Sequence, residues 1–477
     1  MTNMERENSG GKILGYIFLA GIVALPFNNL PYLRTFLGEL SNEGAFYFFF
    51  PFVAVAAIFS LRRKSGGMSG RGWGWIFMPF LLLAGGSLFA NYTHVMQCVF
   101  KSRSGWEKYV FQLGVILFGY SLSFSIFSVF GGNFRPLITI LRRGVILSFV
   151  PVCVYSAFEM LYLLGLLSTN LLSGLERFFH DVGALQYFRL RSVSGEPSYF
   201  AMYLTFGLPF FLQGLFYEMR CRALYYAGVF YIALMVFLTY SRSAYIIFSV
   251  QPLMFLVGLF LFGDLPRVRV LRIFVAFLVV SGLAYLCVNT CANKGYNPVG
   301  TFRSVPYAQE ASGVYGDEFK ASNQIRGISQ HIATRLGRSA PWFGIGLGQY
   351  GFYFSNSLDI GNRSAIEGET IRVLKDAASD TVGSGWPPVY SLLHRIFAEM
   401  GWSGLVSWTF IWASMIFFII KTLRCGASSS NALLVLFLNF AVLPVMLIHD
   451  SFRFMPYWIV MGVNWVYLSE SEVKLIW

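Results

Sequence analysis

The sequence predicts an all-α polytopic membrane fold of about twelve spanning helices, each needing about twenty apolar residues to cross the hydrocarbon core. Three observations carry this: apolar runs of that length recur along the chain, charge is scarce, and alternate breaks between runs are basic. Of 477 residues 56% are hydrophobic and only 12% charged, where a soluble domain carries about a quarter. A water-soluble fold is therefore excluded. The formal charge of +13 sits in short clusters between apolar runs rather than in a soluble stripe, so nucleic acid is not an expected partner. The cysteines at 98, 153, 221, 287, 291 and 425 show no zinc spacing, and neither a metal nor another cofactor is expected. Cys287 and Cys291 stand one helical turn apart, a spacing that suits helix packing, with a disulfide as the open alternative.

The first apolar stretch, from Ile13 to about Leu30, is too long for a signal-peptide core and lacks a small-residue cleavage site, so it reads as the first span. Further runs predict helices near 44–61, 73–91, 108–130, 144–168, 197–217, 223–240, 243–263, 270–289, 401–420, 431–448 and 454–470. With a cytoplasmic amino terminus, every inner loop is basic, as the positive-inside rule asks. These loops hold Arg62, Arg63, Lys64 and Arg71, then Arg135, Arg142 and Arg143, then Arg220 and Arg222, then Arg267, Arg269 and Arg272, then Lys421 and Arg424. Lys101 and Arg103 in the outer loop 92–107 break the pattern. The chain then divides into a membrane domain over 1–289 with helices one to nine, a large outer segment over 290–388 with short amphipathic helices, and a membrane domain over 389–477 with helices ten to twelve. An outer segment that long is functional or disordered, and its Trp, Tyr, Phe and Gly content argues for order. No internal repeat is visible, which counts against an inverted-repeat transporter.

Cations on the outer side need a reason to be there. Arg189, Arg191 and Glu196 precede helix six, whose first turn suits Pro197 and whose cap suits Ser194 or Glu196. Helix starts favour anions, and snorkelling to the interface is the competing use of the arginines. Arg242 lies in the tight turn Thr239–Ala244, where an arginine pairs with an acid or an anionic substrate. A structural pair inside the bundle is the alternative. In the outer segment Lys320, Arg326, Arg335 and Arg338 fall in a stretch free of acids. Read as a helix, Ile325, Ile328, Ile332 and Leu336 make an apolar face with His331, Arg335 and Arg338 beside it, a cationic face resting on the membrane. Guanidinium groups match phosphate oxygens bidentately, so a pyrophosphate or acidic-sugar site competes with simple headgroup contact.

Gly346, Gly348 and Gly351 make a formal GxGxxG, but no strand and βαβ unit surround it, which rejects a dinucleotide site. The glycines are expected to allow a turn and close backbone approach to a ligand. Tyr390, His394, Arg395 and Glu399 precede Gly401, and His449, Asp450 and Arg453 form another outer cluster. Histidine serves as base or neutral hydrogen-bond partner, or is structural. Glu159, inside helix five, is a functional candidate whose partner the sequence does not name. Glu196 is a candidate general base, with helix capping an equally good use.

Four stretches together resemble the bacterial O-antigen polymerase and ligase superfamily. They are Arg-Ser-Val-Ser-Gly-Glu-Pro-Ser-Tyr-Phe-Ala at 191–201, Thr-Tyr-Ser-Arg-Ser-Ala at 239–244, Arg326 followed by Pro-Trp-Phe-Gly-Ile-Gly-Leu-Gly at 341–348, and Ala-Glu-Met-Gly-Trp-Ser-Gly at 398–404. The resemblance implies a GT-C-like, metal-independent membrane glycosyltransferase of the inner membrane. It would act on undecaprenyl-diphosphate-linked oligosaccharide at the periplasmic face, among membrane lipids, with a chain-length regulator as partner. By that likeness Arg191, Arg242 and Arg326 bind diphosphate or glycan, while a sugar hydroxyl of a second lipid-linked repeat attacks the growing chain. The whole candidate set adds Arg189, His331, Arg335, Arg338, Tyr390 and Arg453 for binding, with Glu196 and His394 for catalysis. Ligases of the superfamily carry a histidine about three turns before the Gly of Glu-x-Gly; here Tyr390 stands there and His394 one turn later. That departure favours a polymerase over a ligase, with a peptidoglycan-type glycosyltransferase further off. From another class, Glu159 and the helix count motivate a polysaccharide or lipid transporter.

Overall fold

In lipid every backbone N–H and C=O must be satisfied within the protein, which drives apolar runs into helices. A computed structural model describes residues 3–30, 32, 40, 42–62, 74–131, 133–163, 166–180, 189–218, 222–292, 312–358, 368–381, 386–425 and 429–476. The helices are α1 (Asn3–Val23), α2 (Phe46–Arg62), α3 (Met78–Ala90), α4 (Tyr92–Gln97), α5 (Gly105–Phe130), α6 (Phe134–Leu163), α7 (Thr169–Phe179), α8 (Pro197–Tyr217) and α9 (Arg222–Leu238). They continue as α10 (Arg242–Phe262), α11 (Arg267–Ala292), α12 (Ser312–Ser339), α13 (Tyr350–Ser357), α14 (Gly368–Ala378), α15 (Leu392–Arg424), α16 (Ser429–Val442) and α17 (Met455–Ile476). A small antiparallel pair, β1 (Val99–Phe100) and β2 (Arg103–Ser104), joins α4 to α5.

The chain is an all-α polytopic membrane protein. Every apolar run expected to span falls on one helix. Among the described residues seven helices are long and apolar enough to cross a membrane, and four apolar stretches, within α1, α2, α3 and α9, are shorter. Helix starts differ from expectation by about nine or ten residues at three places, and α1 begins at Asn3 rather than at Ile13. Helix α6 begins at Phe134 rather than near 144, taking Arg135, Arg142 and Arg143 into its first turns. Arg142 is accommodated there because its guanidinium pairs with Glu218 and donates to the Gln213 amide oxygen at 2.6 Å. Helix α15 begins at Leu392, and its passage through Gly401 is a kink, not a start. The outer cations that broke the charge pattern also have protein partners: the Lys101 backbone N–H donates to the Asp380 carboxylate, and its ammonium reaches the Asp376 carbonyl at 3.5 Å.

Helices α8 and α17 run through the middle of the bundle and are buried along almost their whole described length. Apolar tails around a bundle provide no hydrophobic drive between helices, so close approach and polar pairs hold them. Gly119 of α5 meets the Trp458 indole of α17 so closely that a methyl there would lie 2.0 Å from the ring. Gly214 of α8 faces Tyr225 of α9 in the same way, at 2.2 Å. Between α16 and α17, Asn439 and Asn464 exchange amide hydrogen bonds, 2.9 Å each way, with both side chains fully buried. Replacing either asparagine by leucine strands the other amide and is expected to cost about 0.5–1.5 kcal/mol. The double leucine variant should cost less than the sum, in a double-mutant cycle of detergent unfolding midpoints.

At one end of the bundle α12 lies against α15, its apolar face of Ile328, Ile332 and Leu336 buried in a small core with Tyr350, Phe354, Leu374, Val389 and Ala398. The amphipathic helix read from the sequence thus rests on protein rather than on the membrane.

Candidate functional site

The arginines before α8 are held by long-range partners. Glu159, projecting from α6, accepts the backbone N–H of Ser192 at 2.7 Å and that of Arg191 at 3.1 Å. This gives the intramembrane glutamate its partner, the 191–192 backbone. The Arg191 side chain, 4% exposed, forms an ion pair with Glu176 of α7. Arg189 donates to the carbonyls of Thr239 and Tyr240, at 2.9 and 3.3 Å, tying down the end of α9. Neither Ser194 nor Glu196 caps α8. The Ser194 hydroxyl donates to the Pro26 carbonyl at 2.5 Å, and Glu196 stands exposed, accepting from the Ser198 hydroxyl at 3.2 Å. The expected convergence of Arg189, Arg191 and Glu196 is absent because buried carboxylates and carbonyls claim the two arginines first.

The glycine stretch also has a protein partner. Gly344, Gly346 and Gly348 all take positive φ, at 64°, 104° and 77°, and Gly401 of α15 has φ 66°. A residue with a Cβ is strained in that region. The break at Gly401 frees α15 carbonyls, and the N–H groups of Ile345 and Gly346 donate to those of Ala398 and Glu399 at 2.9 and 3.0 Å. In return the Trp402 N–H donates to the Pro341 carbonyl at 2.7 Å. The buried Glu399 carboxylate accepts from the N–H of Gly348 at 2.9 Å and from the Arg395 guanidinium at 3.2 Å. A close backbone approach is therefore made to the kinked helix.

What the fold gathers instead is a polar cluster at the end of the bundle where α8, α10 and α15 begin. The Arg326 guanidinium of α12 lies over the Tyr390 ring, 5.3 Å from its centroid. Arg242, first residue of α10, is near enough for its charge to repel that of Arg326. Tyr390 takes a left-handed backbone, φ 61°, unusual for a bulky residue. The Asp450 carboxylate holds it, accepting the N–H of Val389 at 2.5 Å and of Tyr390 at 3.3 Å. Burial pushes the Tyr390 phenol upward, opposed by the Arg326 charge and reinforced by Asp450 and Glu196. Tyr199, in the first turn of α8, feels the charges of Glu43, Arg453, Glu196 and Asp450. Its ring meets His449 edge to face at 4.9 Å between centroids. Burial drives the His449 imidazole downward, so it is neutral, and its Nε2 has no hydrogen-bond partner among the described residues. Arg395 donates to the Asp450 carbonyl at 3.0 Å, and Arg453 donates to the Ser451 hydroxyl at 3.3 Å.

Of the residues read from the sequence, Arg242, Arg326, Tyr390, Arg453 and Glu196 come together here. His394 stands in the first turn of α15, its Nδ1 2.9 Å from the hydroxyl of the capping Ser391. His331, Arg335 and Arg338 are exposed along the other side of α12, with Arg335 donating to the Ser357 carbonyl. Sequence reasoning missed Glu43, between α1 and α2. Burial raises its carboxyl to about 7, against the pull of Arg453.

Apolar helices with an arginine-bearing polar cluster at one end of the bundle define a polytopic membrane protein. Residues 227–409, less than half of the chain, match the family model described as O-antigen ligase, and over that stretch the chain is similar to that family. The matched stretch contains Arg242, Arg326, Tyr390, His394 and Glu399, and leaves out Glu43, Arg191, Glu196 and Arg453. No curated protein matches the chain.

Proposed function

We propose that the chain is a polymerase that lengthens undecaprenyl-diphosphate-linked glycan, O-antigen or exopolysaccharide, at the periplasmic face of the bacterial inner membrane. One observation carries the reading. Arg242 and Arg326, from separate elements, are held within mutual repulsion, and among the described residues no carboxylate pairs with Arg326. Two guanidiniums in that relation favour a multivalent anion between them, and a diphosphate offers the oxygens. In the reaction a sugar hydroxyl of one lipid-linked repeat attacks the anomeric carbon of the growing chain. The anomeric C–O bond to phosphate breaks, and the lipid diphosphate leaves with the electron pair, its charge stabilised by arginines already in place. Such electrostatics need no metal. Glu196 on the exposed rim and His394 in α15 remain catalytic candidates, and the exposed His331, Arg335 and Arg338 face headgroups or glycan outside the cluster. A chain-length regulator is the partner a polymerase of this kind would take.

The test is an assay of purified protein in liposomes with lipid-linked repeat units extracted from bacteria that lack this protein, in EDTA. A ladder of longer lipid-linked glycans, lost in Arg242→Ala, is the expected result. The description of the matched family favours a second reading, transfer of glycan to lipid A core. Product only on addition of lipid A would establish that one. Movement of labelled substrate across vesicles with no bond formed would replace both by transport.

A further inference from the structure

The polar cluster holds five carboxylates, and four of them have work already. Asp450 holds the amides of Val389 and Tyr390. Glu399 holds Gly348 and Arg395. Glu196 is exposed on the rim and accepts from Ser198. Glu159 at the nearby 191–192 turn holds two backbone amides. The fifth, Glu43, sits in a fixed backbone: its N–H donates to the Leu40 carbonyl at 3.2 Å, and the next residue, Gly44, donates to Phe27 at 2.6 Å. Yet its own carboxylate has no hydrogen-bond or ion-pair partner among the described residues, and the residue as a whole is half-buried. The charges that reach it come from Arg453, before α17, and Tyr199 of α8 reports it together with Glu196 and Asp450.

Resting on the glycosyl-transfer reading above, we propose that Glu43 is the general base of that reaction, accepting the proton of the acceptor hydroxyl as it attacks the anomeric carbon. One C–O bond forms to the acceptor, one C–O bond to the diphosphate breaks, the electron pair leaves on phosphate and the proton rests on Glu43. A carboxylate without a structural partner is the member of the cluster that is free to take it. A base works best with its pKa near the operating pH, and burial brings Glu43 there. The other groups facing this region do not supply that titration: His449 is driven down by burial, and Tyr390 is driven up. Arg453 orients the ionised form.

The full-length protein in liposomes, with the same extracted lipid-linked repeats, decides it. Wild type should show an acid limb in kcat/KM, which reports the free enzyme, with a midpoint near 7. Glu43→Gln should lose about 10²–10⁴-fold in kcat with KM little changed, keep its unfolding midpoint, and lose the limb. Glu43→Asp should keep part of the rate and shift the limb. An active wild type with no such limb, or a folded Glu43→Gln enzyme within about twofold of wild type in kcat, overturns the assignment to Glu43 and leaves the glycosyltransferase standing. Should Glu43→Gln fail to fold, the wild-type limb and its shift in Glu43→Asp carry the decision. A wild type that joins no sugars overturns the glycosyl-transfer reading and the base with it.

Discussion

Arg326→Ala is expected to lower glycan lengthening by about 10²–10³-fold, the usual loss when one preorganised group facing developing charge is removed. The side chain's contact within the protein is the Tyr390 ring, and removing it also relieves repulsion with Arg242. The unfolding midpoint should therefore stay near wild type while the rate falls. Arg326→Lys should recover only part of the rate, because an ammonium cannot grip two phosphate oxygens in one plane. Arg191→Ala behaves in the opposite way. It removes the ion pair to the buried Glu176, so it should lower stability first, with lost activity following from lost fold. Full lengthening by a folded Arg326→Ala protein would remove the diphosphate role from this pair of arginines.

Glu399→Ala should be among the most destabilising single changes, at about 3–5 kcal/mol, the range for breaking a buried charge pair by removing one partner. The carboxylate is 1% exposed and serves Arg395 and the amides of Gly348 and Tyr350 together. Its loss leaves the N–H groups of Gly348 and Tyr350 buried without that acceptor and removes the carboxylate partner of Arg395. The measurements are the unfolding midpoint in detergent and amide hydrogen exchange over residues 344–350, which should quicken. A variant with unchanged exchange there would show that the glycine segment is held by the α15 carbonyls alone.

Helix positions were legible because apolar runs declare themselves, while the starts of α6 and α15 were not, since they depend on remote residues. Nothing near Arg142 announces that Glu218 and Gln213 will receive it, and nothing near Leu392 announces that a helix will pass through a glycine at positive φ. The same distinction runs through the site. Arg242, Arg326 and Arg453 could be noticed because they fall in loops that the charge pattern expects to lie outside, where cations break the rule. Arg189 and Arg191 violate it too, but their partners lie in α6, α7 and α9, far along the chain. Glu43 breaks no rule, since an acid in a loop is ordinary, and only the fold brings its charge within reach of Tyr199 and Arg453.

Asp450, which fixes Tyr390 in its strained conformation, and Arg453, which faces Glu43, lie between α16 and α17. During synthesis Glu43 emerges from the ribosome first and these two almost last. A nascent chain that has inserted everything through α15 holds the arginines and the tyrosine but lacks the aspartate that orders them. On the proposed mechanism, the site is complete only once the final pair of helices has entered the bilayer.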